Sequence, residues 1–233
     1  MRKFSVRLLL CSIVGLLVFN SCLKDDDNYT PIPNGFMLYV NAFPEEEALF
    51  YFIDGRSISN NIAPITYKSY TATRLFTGSR KLEVRPANSS KTIIDSTLVI
   101  KDATAYTSFV YGTKELPQFA LAEDKAIPNL GDKFGLRYYN FANGVEETNL
   151  FLSDDTEASF SKRALETGES VVLNQAFVAK ETKKSTLIVK DNAGKELVKR
   201  DFTFQKGQYY TVILTGVKDN ATTPLYIGVV AIQ

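Results

Sequence analysis

The chain has 233 residues, a formal net charge of +1, and 45% apolar and 12% aromatic residues. Near neutrality gives no basic field for nucleic acid and no polybasic patch for anionic lipid. Histidine and tryptophan are absent and only two cysteines occur, which removes the usual general base, the Ser–His–Asp arrangement and the commonest transition-metal ligand.

The first element is a hydrophobic leader. Met1–Arg7 carries Arg2, Lys3 and Arg7 and no acid, and Leu8–Phe19 is apolar apart from Ser12 and Gly15. As a helix this run would be ~18 Å long against a hydrocarbon core of ~30 Å. It is too short to span and suits the middle of a secretory signal peptide, residues 1–21. Removing it takes away three basic charges, so +1 becomes −2, and leaves no cysteine but Cys22.

Cys22 follows Ser21 at the position of the first mature residue. This resembles the lipobox of bacterial lipoproteins, which implies acyl chains on Cys22. Each buried CH₂ contributes about 0.8 kcal/mol, so two or three chains would hold the protein to a membrane without spanning it. Lys24, Asp25, Asp26 and Asp27 come next. They resemble the surface-export signal of Bacteroidetes-type outer-membrane lipoproteins. The resemblance implies display on the cell surface, with the periplasmic leaflet as the alternative.

Residues 22–35 form a polar, Pro-containing tether. From Phe36 onward, short runs of Val, Ile, Tyr, Phe and Thr are split by Gly, Pro, Asn and Asp. That texture predicts strands at 36–43, 48–53, 66–76, 81–85, 92–100, 106–111 and 118–122. Leu82 and Val84 alternate with Lys81, Glu83 and Arg85, while residues 106–111 carry bulk on both faces, as a central strand does. The second half predicts strands at 134–141, 149–152, 170–179, 185–190, 196–205, 209–215 and 225–232. Residues 157–165 (EASFSKRAL) read as a short helix or a loop. Asp54-Gly55 and Asp191–Gly194 are turn signals.

The halves align. At an offset of 104, Val84 meets Ile188, Tyr106 meets Tyr210, Thr107 meets Thr211 and Gly112 meets Gly216. At 99, Tyr39 meets Tyr138 and Asn41 meets Asn140. The pattern reads as a tandem duplication of an independent domain. The expected fold is all-β, with two tandem immunoglobulin-like β-sandwich domains at 36–122 and 134–233 joined by a linker at 123–133.

These segments resemble the bacterial envelope family of domain of unknown function 4397. Its repeats carry a strand ending in Asn-Ala-Ser-Pro, a "vdvyvdG" strand, an "l-x-v-r-p-a-g" strand and a closing "Y-t-v-x-x-x-G" strand. The first half offers LYVNAFP (38–44), ALFYFIDG (48–55), LEVRPANSS (82–90) and STLVIKDATAYTSFVYG (96–112). The second offers LRYYNFAN (136–143), LFLSDD (150–155), LIVKDNAG (187–194) and DFTFQKGQYYTVILTG (201–216). The resemblance implies fold and no reaction.

Candidate chemistry is sparse. Glu45-Glu46-Glu47, Glu146-Glu147 and Asp154-Asp155-Thr156-Glu157 read as solvated loops, with calcium as their functional alternative. Tyr138-Tyr139 and Tyr209-Tyr210 place one ring of each pair in the core and leave the other for cross-strand packing or stacking. Asp95-Ser96-Thr97 resembles a bacterial O-glycosylation acceptor. No catalytic residue, cofactor or metal is expected. The leading expectation is a non-enzymatic, lipid-anchored binding or adhesion module with a protein or glycan partner. An accessory glycan-binding lipoprotein of an uptake system, or a fimbria-associated subunit, is the alternative.

Overall fold

A computed structural model describes residues 31–59, 63–153, 155–181 and 184–232. Cys22 and Lys24–Asp27 lie outside these residues. Residues 33–233 form one compact unit, and among its described residues no helix is long and apolar enough to cross a membrane.

The first sandwich pairs two sheets. Its inner sheet takes β1 (Asn34–Asn41), β5 (Tyr70–Phe76), β8 (Ala105–Gly112) and β9 (Pro117–Glu123) in the order β5-β1-β8-β9. Its outer sheet takes β2 (Ala48–Ile53), β3 (Arg56–Ser57), β6 (Gly78–Pro86) and β7 (Ile94–Ile100) in the order β3-β2-β6-β7, with β4 (Ile65–Thr66) also on β2. The first strand lies in the centre of its sheet, antiparallel to β5 and parallel to β8.

The second sandwich follows the same plan. Its inner sheet takes β10 (Phe134–Asn140), β13 (Val178–Lys180), β16 (Tyr209–Thr215) and β17 (Tyr226–Ile232), ordered β13-β10-β16-β17. Its outer sheet takes β11 (Thr148–Leu152), β12 (Phe160–Arg163), β14 (Lys184–Asp191) and β15 (Glu196–Thr203), ordered β12-β11-β14-β15. The parallel pairs agree in register under the two offsets. Phe36 stands opposite Ala105, and Gly135 opposite Tyr209. Local hydrogen bonds recur as well: the Tyr106 hydroxyl accepts from Lys101 N at 3.2 Å, and the Tyr210 hydroxyl from Gln205 N at 3.1 Å.

Three apolar layers hold four sheets in a stack. Tyr39, Tyr51, Leu82, Val84 and Val110 fill the first sandwich, and Tyr138, Leu150, Leu187, Val189 and Val212 the second. The middle layer joins the two inner sheets through Leu38, Val40, Phe109, Tyr139, Phe141 and Ile213. Inner strands are therefore apolar on both faces: Tyr138 points into its own sandwich and Tyr139 into the shared layer. Among the outer strands β6 alternates clearly: Leu82 and Val84 are buried while Lys81 bridges Glu83 and Asp95 outside. The segment between the sandwiches is fastened to both of them. Asp124 N donates to Ala105 O, and Ile127 N donates to the Tyr209 hydroxyl at 2.8 Å.

Three expected elements come out differently. The run 66–76 is broken by a turn at Tyr67–Ser69, where Lys68 has φ 68° and donates its N–H to Asn41 O. Residues 157–165 hold the edge strand β12, whose Phe160 reaches the core. The strand expected at 170–179 is a helix, α1 (Gly168–Leu173), followed by β13. Thr167 caps it in a reciprocal box with Ser170, and buried Val171 docks it on the shared layer. Its β-branched pair reads as strand locally, but α1 lies along the edge of β9, so packing overrides propensity.

Candidate functional site

The turn after β1 is held by side-chain hydrogen bonds. Asn41 is fully buried; its Oδ1 accepts from Phe43 N at 3.0 Å and its Nδ2 donates to Ile65 O at 2.8 Å. Asn140 does the same after β10, accepting from Ala142 N and donating to Glu146 O and Arg163 O. One asparagine thus ties each strand end to the opposite sheet, satisfying backbone groups that the ladder leaves open.

In the first sandwich this turn leads into Glu45–Glu47 and meets the second sandwich. Thr215 donates its hydroxyl to Ala42 O at 2.8 Å, and the Tyr67 hydroxyl lies 3.3 Å from the same Thr215 oxygen. Tyr67 N donates to Glu47 O at 2.8 Å. Opposite, Asn220 Oδ1 accepts from both Thr222 N and Thr223 N, shaping the loop before β17. Between them lies an open cleft of about 400 Å³ lined by Pro44, Glu45, Glu46, Glu47, Thr66, Tyr67, Thr222 and Thr223.

Its electrostatics are simple. Glu46 pairs with Lys114 at 3.4 Å, whereas Glu45 and Glu47 have no side-chain partner among the described residues. Lys68 Nζ sits 5.0 Å from the Tyr67 ring centroid and 4.6 Å from that of Tyr226, a cation over two aromatic faces. Burial pushes the Tyr67 hydroxyl above its usual range, opposed by its bond to Thr215. The cleft therefore offers carboxylate acceptors on one wall and hydroxyls and a phenol ring on the other. All three carboxylates belong to one loop, and among the described residues lining the cleft Thr222 and Thr223 stand opposite, whereas glycoside hydrolysis needs a second acid there.

The other sequence candidates do not join this site. Glu147 accepts from Asn192 Nδ2 at 2.9 Å beside the β14–β15 hairpin. Asp155, Thr156 and Glu157 border a separate cleft with Ser159 and Lys180; Asp154 lies outside the described residues. Among the described residues no three acidic side chains gather as a cation site. Tyr138, Tyr139 and Tyr210 are all buried and Tyr209 half-buried, so neither pair offers a free stacking face. Ser96 stands on the edge strand β7, between exposed Asp95 and Thr97. Sequence reasoning missed Tyr67, Thr222 and Thr223, whose only signals were a turn and a Thr-rich loop.

The fold defines an all-β protein of two stacked β-sandwiches. Residues 36–151 match the family model described as Domain of unknown function (DUF4397), a span that takes in the first sandwich, β10 and most of β11. No curated protein matches the chain. Among solved structures, a CBM26 module of Eubacterium rectale Amy13K in complex with maltoheptaose is similar at TM-score 0.28 and 14% identity. It covers 83% of this chain and 96% of that one. A DUF3823 family protein from Bacteroides ovatus has TM-score 0.21 and 11% identity over 76% and 98%. A fimbrial assembly protein from Parabacteroides distasonis has TM-score 0.22 and 15% identity over 86% and 98%. At these scores one site cannot be superposed on another.

Proposed function

We propose that this chain is a non-enzymatic binding or adhesion module built from a duplicated β-sandwich. Lipid on Cys22 holds it to the bacterial outer membrane, and Lys24, Asp25, Asp26 and Asp27 direct it to the cell surface. The cleft between Glu45–Glu47 and Thr222–Thr223 takes a polyhydroxylated ligand, such as a glycan.

The observation that carries this reading is how the cleft is made. The Glu45–Glu47 side is tied by buried hydrogen bonds, Asn41 to Ile65 and Thr215 to Ala42, and the Thr222–Thr223 loop is held by Asn220 and by Val217 N on Thr223 O, so little order is lost when a ligand binds. Its hydroxyl and carboxylate lining suits sugar hydroxyls better than an apolar partner. The test is retention of neutral glycans by the purified lipidated protein in detergent. Glu45→Gln with Thr223→Val should abolish retention and leave folding intact. A panel in which nothing is retained, or retention indifferent to both changes, would defeat the reading.

Strand pairing with a neighbouring subunit is the second reading. It is favoured by β5 and β7, seven-residue strands that end their sheets.

A further inference from the structure

We propose that β5 and the β2–β3 hairpin form a second subsite, one that binds a carboxylate-bearing sugar residue. It rests on the glycan-binding reading above and adds a ligand class to it. Two clefts adjoin along β5. One, of about 450 Å³, is lined by Ile53, Asp54, Arg56, Arg74, Leu75, Phe76 and Arg80. The other, of about 560 Å³, is lined by Asn34, Phe36, Arg74 and residues 102–105. Arg74 belongs to both.

The hydrogen bonding divides the arginines into two kinds. Arg80 is structural: it donates to Phe76 O at 3.0 Å, to Thr77 O at 2.7 Å and to Asp54 Oδ2 at 3.2 Å. Asp54 in turn accepts from Lys81 N at 2.9 Å, and these contacts hold its carboxyl below the usual range. Its charge is therefore engaged by Arg80. Arg56 and Arg74 are exposed and have no ion-pair or hydrogen-bond partner for their side chains among the described residues. The first cleft holds three arginines and one aspartate; Asp102 adds one opposing charge in the second.

Phe76 stands in the same row as Arg74 on β5, two residues on and so on the same face. It is 59% exposed. An exposed ring beside two unpaired guanidinium forks suits one class of ligand. The flat apolar face of a pyranose lies on the ring while its carboxylate takes a fork in bidentate geometry. A neutral sugar would leave the forks unmatched, and an anionic lipid headgroup would leave the ring without a flat partner.

The experiment uses the full-length lipidated chain in neutral detergent with three probes. They are an oligogalacturonate, the same oligosaccharide after reduction of its carboxyl groups, and vesicles of phosphatidylcholine containing phosphatidylglycerol. The expected result is binding of the oligogalacturonate alone, weakening as NaCl is raised. Arg74→Gln and Phe76→Leu should each weaken it at least tenfold, and Arg74→Lys should fail to restore it. Both sites are exposed, and an unchanged melting temperature checks the fold of each variant. No binding of the acidic probe, equal binding of its reduced form, binding of the anionic vesicles instead, or indifference to Arg74 and Phe76 would each overturn the proposal. Neutral-glycan retention lost in the Glu45→Gln and Thr223→Val variant, with oligogalacturonate binding absent or indifferent to Arg74→Gln, would overturn this subsite alone. Absence of every glycan would overturn both.

Discussion

Arg137 and Asp124 meet at 2.5 Å between the two sandwiches, with side chains 0% and 3% exposed. Arg137 also donates from Nε to Thr211 Oγ1 at 2.8 Å and from Nη1 to Gln175 O at 3.2 Å, and its guanidinium lies 4.4 Å from the Phe177 ring centroid. Thr107 donates to the other oxygen of Asp124 at 2.8 Å. Thr107 and Thr211 are the pair related by the offset of 104, so equivalent threonines hold opposite ends of one ion pair. Burial pushes the Asp124 carboxyl up, and Arg137 and Thr107 pull it back.

Removing one partner leaves the other charged in an apolar layer. Arg137→Met should cost about 3–5 kcal/mol in urea unfolding, whereas Arg137→Met with Asp124→Leu should recover most of that loss. A double variant no better than the single one would show that the loss does not come from a buried charge left without its partner.

Glu166 predicts a pH dependence. It is 2% exposed, burial raises its carboxyl above the usual range, and among the described residues its Oε1 has no hydrogen-bond partner, while Oε2 accepts from Ser170 and Asn174. Its folded value lies above its unfolded one, so between the two the folded state holds the extra proton. Stability then falls as pH rises through that window. Glu166→Gln should raise the melting temperature at pH 7–8, by about 2–4 °C per kcal/mol gained. The advantage should vanish below the unfolded value. A gain that persists at pH 3 would count against it.

Gly112 and Gly216 should be sensitive to the same substitution. Both have left-handed φ, 97° and 102°, and a Cβ there would collide with the carbonyl oxygens of Leu116 and Pro224 respectively. Alanine at either should cost about 1–3 kcal/mol or more in chemical denaturation, and Gly194→Ala, with open space around it, clearly less.

Anchoring is tested in cells. Cys22→Ser should abolish incorporation of labelled palmitate and move the chain to the soluble fraction. Replacing Asp25, Asp26 and Asp27 by alanine should leave labelling intact and remove protease accessibility on whole cells. A soluble wild-type protein with an unmodified thiol would refute the anchor.

Asn41→Ala should loosen the cleft wall it ties to Ile65. Loss of two hydrogen bonds from a buried group costs about 1–3 kcal/mol. Neutral-glycan affinity should drop further than Asn140→Ala drops it, because the Asn140 turn leads away from the cleft. Calorimetry on the two variants checks the order.

The legible parts were those with a short period. Leu82 and Val84 against Lys81, Glu83 and Arg85 appear in β6 as the alternation required, and Asp54-Gly55 carries the positive φ values that a tight hairpin turn takes. The double-faced bulk of residues 106–111 marks β8 as a central strand, and it lies between β1 and β9 in its sheet. The Ser170–Ala179 run failed because its Val-Val pair resembles a strand, while the decisive contacts, Thr167 with Ser170 and Val171 with the shared layer, depend on the fold. The Glu45–Glu47 loop is legibly acidic, yet nothing local ties it to Thr222 and Thr223.

By itself, then, the sequence determined an all-β, thiol-poor and imidazole-free chain whose halves match at two constant offsets, because side-chain alternation and turn chemistry act over a few residues. Only the tertiary structure decided which faces meet: Tyr139 and Phe141 on Phe109, Arg137 on Asp124, and Thr215 on Ala42. Those choices come from burying two apolar sheet faces against each other. Burial is non-directional and long-range in sequence, so no local pattern could announce it.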